Sequence, residues 1–307
     1  MGFGKATIRI ARGLSDEEFK SAHHTYTVIN TNSPLQLDIP MAEGLIELAS
    51  AGQAICVTPF TLAGAMAPVT LAGTLAQQNA EALAGIALTQ VVRPGVPAVY
   101  GAFTSNVDMR SGSPAFGTPE YAKAAQASGQ LARRYNLPFR SSSVTSSNVV
   151  DAQSTYESAM SLWGAITGGA NIIVHAAGWL EGGLTASFEK LIVDAEMLQM
   201  MAEYLRPIEV TPETLALDAI AEAGPGGHFF GVQHTMSRYE SAFYQPFLSD
   251  RRNFESWQEA GAEDTQRRAN RVWKSLLESY QQPPLDPAID DALIDYVDRR
   301  KTGEAPP

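Results

Sequence analysis

One cysteine, Cys56, stands in 307 residues, which excludes an intrachain disulfide and any cysteine-built metal cluster and makes a reducing cytoplasm the expected setting. Basic residues are few: 22 Lys and Arg face 33 Asp and Glu, a net charge of −11 that disfavours nucleic acid as a partner. Charge of either sign is scarce at 18%, yet the 45% hydrophobic content is that of a chain that folds around a core rather than a disordered one. No stretch approaches the ~18 consecutive apolar residues of a membrane span. Met1 to Arg12 lacks the apolar centre of a secretory leader, so neither secretion nor a membrane partner is expected. His175, His228 and His234 with Glu181 could in principle gather a metal, but no His-x-x-x-His or His-Glu-x-x-His spacing favours one, and none is expected. The phosphate-binding Gly-x-x-x-x-Gly-Lys-Ser/Thr and the Gly-x-Ser-x-Gly elbow of α/β hydrolases are also missing.

What is present is an alternation of short β-branched runs with longer Ala- and Leu-rich stretches, the pattern of β/α units around a parallel sheet. Strands are expected at Thr25–Asn30, Ala54–Thr58, Pro97–Ala102, Pro138–Ser142 and Asn171–His175. Helices are expected at Met41–Ala51, Val69–Val92, Pro119–Tyr135, Asp151–Gly168 and Ser187–Leu205. Each crossover is long enough to set consecutive strands side by side and parallel. Past Arg206 the pattern weakens, with short strands expected at Ile208–Val210 and His228–Val232 and a helix start at Thr211-Pro212-Glu213. The expected organisation is a barrel portion over residues 1–252 and a helical tail over 253–307, in which Pro283-Pro284 separates two helices.

Gly, Asn, Ser and aromatic residues gather just after each strand, where the active sites of parallel α/β barrels form. The stretch Gly101–Gly112 reads as a long polar loop. Its Asp108 reads either as a carboxylate facing a cationic substrate or as a turn residue, whereas Thr118 and Pro119 read as a helix cap and first turn. His175–Gly183 sets an imidazole, an indole (Trp179) and a carboxylate (Glu181) within a few residues framed by glycines. An indole face attracts quaternary ammonium groups, and a nearby carboxylate adds a Coulomb attraction. The other reading of His175 and Trp179 is packing at the barrel mouth. Gly224–Gly231 is a second glycine-rich segment and carries His228.

Taken together, Pro59–Thr70, Gly117-Thr118-Pro119-Glu120, Asp151-Ala152-Gln153 with Tyr156-Glu157-Ser158, His175–Gly183 and Gly224–Gly231 resemble the trimethylamine methyltransferase family. The likeness is to its branch without pyrrolysine, which includes glycine-betaine:corrinoid methyltransferases. The resemblance implies a TIM-type (β/α) barrel, expected to be incomplete in this chain because family members extend further at the N-terminus. It implies transfer of a methyl group from a methylated, quaternary amine such as a betaine to the Co(I) corrinoid of a separate protein, with no cofactor bound tightly by this chain. The expected reacting groups are His175, Glu181 and Asp108, with Trp179, Tyr100, Phe103 and His228 around the substrate; no residue is assigned to the corrinoid. A betaine-binding or subunit module without turnover, and a metal-dependent lyase on the same barrel, are the competing readings. An open barrel also leaves a sheet edge to cover, so self-association is expected.

Overall fold

The computed structural model describes residues 2–303; Met1 and residues 304–307, the outer ends of the two expected segments, lie outside them. Two short helices, α1 (Gly2–Ala11) and α2 (Asp16–Ser21), precede the sheet, the second closed by a capping box between Ser15 and Glu18. The alternation then runs β1 (Tyr26–Thr31), α3 (Ile39–Ser50), β2 (Ala54–Ala63), α4 (Leu71–Val92), β3 (Ala98–Gly101), β4 (Phe103–Val107) and β5 (Pro114–Ala115). It continues with α5 (Pro119–Arg134), β6 (Phe139–Ser142), α6 (Ala152–Thr167) and β7 (Ile172–Val174).

Strand β1 pairs with β2, β2 with β3 and β4, β3 with β6, and β6 with β7, all parallel. Ala98 lies opposite Ile55 and Phe103 opposite Phe60, so β3 and β4 hold one register against β2 and form a single strand interrupted at Ala102. The five expected strands are therefore neighbours in chain order within a mixed α/β fold, consistent with part of a TIM-type barrel; among the described residues β1 and β7 each have one unpaired side, and the two-residue β5 adds an antiparallel edge to β4. No described helix is long and apolar enough to cross a membrane.

Period-two alternation decides which side chains meet the helices. Ile29, Ile55 and Val57 pack with Leu45 and Leu48 of α3, while Tyr100 and Phe139 pack with Ala82 of α4 and Ala132 of α5. The intervening residues face the concave side. There Gly101 lies beside Thr58, and a Cβ on it would fall 1.9 Å from Thr58 Oγ1; the sheet's close approach therefore requires glycine. Helices α5 and α6 are similarly close: a Cβ on Gly129 would sit 1.9 Å from the carbonyl of Gly168.

After β7 the chain makes a small hairpin of β8 (Trp179–Leu180) and β9 (Thr185–Ala186), with a 3₁₀ turn between, and enters α7 (Phe188–Tyr204). Short helices α8 (Pro212–Leu215), α9 (Leu217–Ala223), α10 (Gln233–Met236) and α11 (Phe254–Glu259) lead to α12 (Thr265–Glu278) and α13 (Pro287–Thr302). Thr211 caps α8 as expected, and Pro283-Pro284 separates α12 from α13. Glu189 of α7 accepts hydrogen bonds from Asn270 Nδ2 (2.7 Å) and Trp273 Nε1 (2.8 Å) of α12.

Three expectations are corrected. Ile208–Val210 and His228–Val232 are not strands: Ile208 is 91% exposed and Phe230 85%, and neither segment reaches a sheet edge, without which a β-branched run has no ladder to join. The stretch after Gly101 is not loop throughout, because Phe103–Val107 extends the strand along Phe60–Ala63.

Candidate functional site

A hollow of about 440 Å³ opens on the concave face at the C-terminal ends of the strands, lined among others by Asn30, Phe60, Phe103, Arg140, His175 and Trp179. Its aromatic wall is continuous. Phe103 lies 5.1 Å from Phe60 and 5.8 Å from His175 between ring centroids, and His175 meets Trp179 edge-on at 5.4 Å. Phe116 stacks on Phe103 at 5.4 Å from the next layer. No Asp or Glu is among the residues lining the hollow.

Arg140 comes from the middle of β6 and is 2% exposed, the bulkiest side chain of the interior. Its Nε and Nη1 are buried with no hydrogen-bond partner, and Ser142 Oγ and His175 Nδ1 are likewise unpartnered. The guanidinium carbon stands 6.0 Å from the Phe103 ring centroid. Burial lowers the guanidinium pKa from its usual value, but a guanidinium keeps its charge inside proteins. Burial, assisted by the positive Arg140, pushes His175 down to about 4, so the imidazole is neutral at pH 7. Burial raises the thiol of nearby Cys56, which removes it as a thiolate nucleophile.

Carboxylates on the helices hold the loops that carry these side chains. Glu81 of α4 accepts hydrogen bonds from Ser33 Oγ (2.7 Å), the Leu35 amide (2.9 Å) and Thr31 Oγ1, tying down the loop after β1. Glu157 of α6 accepts from Thr145 Oγ1 (2.6 Å) and the Ser146 amide (2.7 Å) in the loop after β6. That loop in turn receives the amides of Glu181 and Gly182 on the carbonyls of Ser147 and Thr145. Behind Trp179, Asp194 of α7 accepts from the Gly178 amide (2.9 Å) and pairs with Lys190, whose ammonium also donates to Ser158 Oγ (2.9 Å). Burial pushes Lys190 down and Asp194 up, and their mutual attraction opposes both shifts. His175 and Glu181 take positive φ of 58° and 51°, which the surrounding bonds must enforce on non-glycine residues.

Of the residues expected at the site, His175, Trp179 and Phe103 meet at the hollow. The other four do not join them. Tyr100 is on the opposite face of its strand, between α4 and α5, where its hydroxyl donates to Asn79 Oδ1 (3.0 Å) and accepts from Gln78 Nε2 (3.1 Å). Asp108 is exposed and closes its own turn, accepting from the Arg110 amide (3.1 Å) and Ser111 Oγ (2.8 Å), the turn reading of the two held open. Glu181 is exposed and accepts from Thr185 Oγ1 (2.8 Å) across the hairpin. His228 is exposed beside Phe230, on the segment beyond α9.

Arg140 and Phe60 were the residues missed. The signal for Arg140 was available: Phe139-Arg140-Ser141-Ser142 puts a charge inside a strand that is buried throughout, a placement that arginine rarely takes without a reason. Among the described residues no three His, Cys, Asp or Glu side chains converge as metal ligands.

Comparison with known proteins places the chain among its relatives. Residues 6–305 match the sequence profile of the trimethylamine methyltransferase family. The chain is similar to a glycine betaine methyltransferase of Desulfitobacterium hafniense, 42% identical over 89% of this chain and 57% of the relative. It is also similar to a trimethylamine methyltransferase of the same species, 35% identical over 96% and 60%, and to one of Methanosarcina mazei, 33% identical over 94% and 58%. The chain thus spans under two thirds of the length of these relatives.

Proposed function

The chain belongs to the trimethylamine methyltransferase family, and on that footing we propose that it takes part in moving a methyl group from a quaternary methylated amine to the Co(I) corrinoid of a second protein. The observation that carries this reading is the hollow itself: aromatic faces of Phe60, Phe103 and Trp179 around a neutral imidazole at the mouth of a parallel sheet. Aromatic faces hold a large, weakly hydrated methylammonium head by cation–π attraction. The reaction is a displacement at the methyl carbon. The electron pair of the breaking C–N bond stays on nitrogen, so a quaternary amine leaves as a neutral tertiary amine and needs no proton.

The site is built for that case. With His175 at about 4 and no carboxylate in the lining, no side chain of the hollow is poised to protonate a basic leaving group near pH 7. Chemistry then rests on position: the rings fix the ammonium, the loop bonds fix the rings, and one methyl faces the open mouth. The hollow suits a small amine, and its open mouth would leave the methyl group accessible to a corrinoid carried by a second protein. A Co(I) acceptor persists only under reduction, which together with the lone buried Cys56 supports a cytoplasmic setting.

The test is incubation with a reduced corrinoid acceptor and a panel of betaines, with formation of methylcobalamin followed by its visible spectrum. No methyl transfer from any member of the panel would refute the reading. The open edges at β1 and β7 favour a second reading, a betaine-binding module that works only with a further subunit or copy. Calorimetric binding without transfer by this chain alone would select it.

A further inference from the structure

We propose that Arg140 is an anion subsite on the wall of the hollow, and that it selects ligands which carry a carboxylate as well as a methylated ammonium group. The inference concerns the substrate of the site described above and rests on that site being a ligand pocket, but not on methyl transfer.

The charge balance of the hollow leads to it. A methylammonium site built from aromatic rings alone would take any cation of the right size. This hollow instead contains a guanidinium and, among its lining residues, no carboxylate. Arg140 makes no ion pair among the described residues, and two of its nitrogens are buried without an acceptor. A buried charge without a counter-ion costs several kcal/mol, and a free cation entering beside it would add repulsion. A zwitterion resolves both problems. Its carboxylate meets the fork of nitrogens in the planar geometry that guanidinium suits, and its ammonium head reaches the rings of Phe103, Phe60 and Trp179. The guanidinium carbon is 6.0 Å from the Phe103 centroid, so an ammonium against the rings and a carboxylate against the guanidinium would be close neighbours, which suits a short linker between them.

Further orphaned atoms accompany it. Ser142 Oγ, two residues along the same face of β6, and His175 Nδ1 are buried without partners. With the two Arg140 nitrogens they offer hydrogen bonds to a carboxylate and its immediate surroundings, while a bare tetraalkylammonium has no acceptor to give them. Beyond its approach to the Phe103 ring, no hydrogen bond or ion pair among the described residues accounts for Arg140: its strand is paired on both sides through the backbone, and an apolar side chain would fill the space without a charge to offset.

The test uses ligands that separate the two charges. Calorimetry on the full chain would compare glycine betaine, tetramethylammonium, and 3,3-dimethylbutyrate, the uncharged-head isostere of betaine, which cannot give up a methyl group. The expected order sets both carboxylate ligands above tetramethylammonium. Arg140→Gln should weaken the carboxylate ligands by about tenfold or more, the scale of a lost charge-assisted hydrogen bond, and leave tetramethylammonium unchanged or tighter. Arg140→Lys should recover part of the loss, since the charge returns without the fork. Tetramethylammonium binding as well as betaine, no binding of any of the three, or a folded Arg140→Gln that binds 3,3-dimethylbutyrate as wild type does, would overturn the proposal. If Arg140→Gln does not fold, the wild-type order decides. Binding of 3,3-dimethylbutyrate through Arg140 alongside failed methyl transfer would refute the enzyme reading and leave the subsite standing.

Discussion

Asp194→Asn probes the scaffold behind the hollow with almost no change of shape. Asp194 is 2% exposed and Lys190 is 0% exposed. In the wild type the carboxylate offsets the ammonium and also receives the Gly178 amide at 2.9 Å. The amide of asparagine still offers an oxygen to Gly178, so the loss is one of charge: Lys190 keeps the Ser158 Oγ hydrogen bond, at 2.9 Å, and the weaker attraction of Glu157. Removing one partner of a buried pair costs about 3–5 kcal/mol, because the other charge is left in a medium that solvates it poorly. Lys190→Met with Asp194→Asn removes the stranded charge and should recover most of that cost, a coupling of about 2 kcal/mol or more. The pH dependence has a definite sign. In Asp194→Asn the folded-state pKa of Lys190 falls below its unfolded value, so the unfolded chain binds more protons in the window between them and the variant gains stability as pH rises through it. Urea unfolding followed by circular dichroism, at neutral and alkaline pH, measures all three quantities. A single variant within about 0.5 kcal/mol of wild type, or a double variant that costs the sum of its parts, would refute the reasoning.

Trp179→Leu should weaken betaine binding by about 1–2 kcal/mol, the scale of a desolvated cation–π contact, with a normal unfolding midpoint; unchanged affinity by calorimetry would make Trp179 a packing residue. Tyr100→Phe should do the reverse, since it strands Gln78 Nε2 and Asn79 Oδ1: a stability loss of about 1–3 kcal/mol in thermal or urea unfolding, and no change in ligand affinity. His175, at about 4 in the folded chain, should show its imidazole shift by NMR near that pH. Its folded pKa lies below the unfolded one, so the stability it contributes is complete above pH ~6.5 and is lost as pH falls from there toward 4. A titration near 6.5 would contradict the burial and the influence of the Arg140 charge.

The order and type of the central elements were legible from local pattern alone. Strand runs such as Asn171–His175 and the capped start at Thr118 carry their signal within one or two turns of chain, and period and capping are local physics. Pairing could be inferred as well, because each crossover was long enough for only one simple arrangement. The same period-two rule should have separated Tyr100 from Phe103. They stand an odd number of residues apart on one unbroken register, so they cannot share a face; reading the stretch after Gly101 as loop hid this.

Other features had no local signature. Whether Ile208–Val210 finds a ladder depends on a sheet edge elsewhere in the chain, and whether Asp108 and Glu181 meet a substrate or only their own turns depends on where their loops are folded back. The carboxylates of Glu81, Glu157 and Asp194 look like helix surface residues in sequence, and only the packing of helix against loop turns them into clamps. Arg140 illustrates the division most sharply. By itself the sequence determined that a charge would sit in a buried strand, since its neighbours along the chain are strand formers and small hydroxyl residues. Only the tertiary structure decided that no carboxylate among the described residues would come to meet it, because an ion pair between distant segments is a property of how they converge, and no residue's neighbours in sequence can specify that.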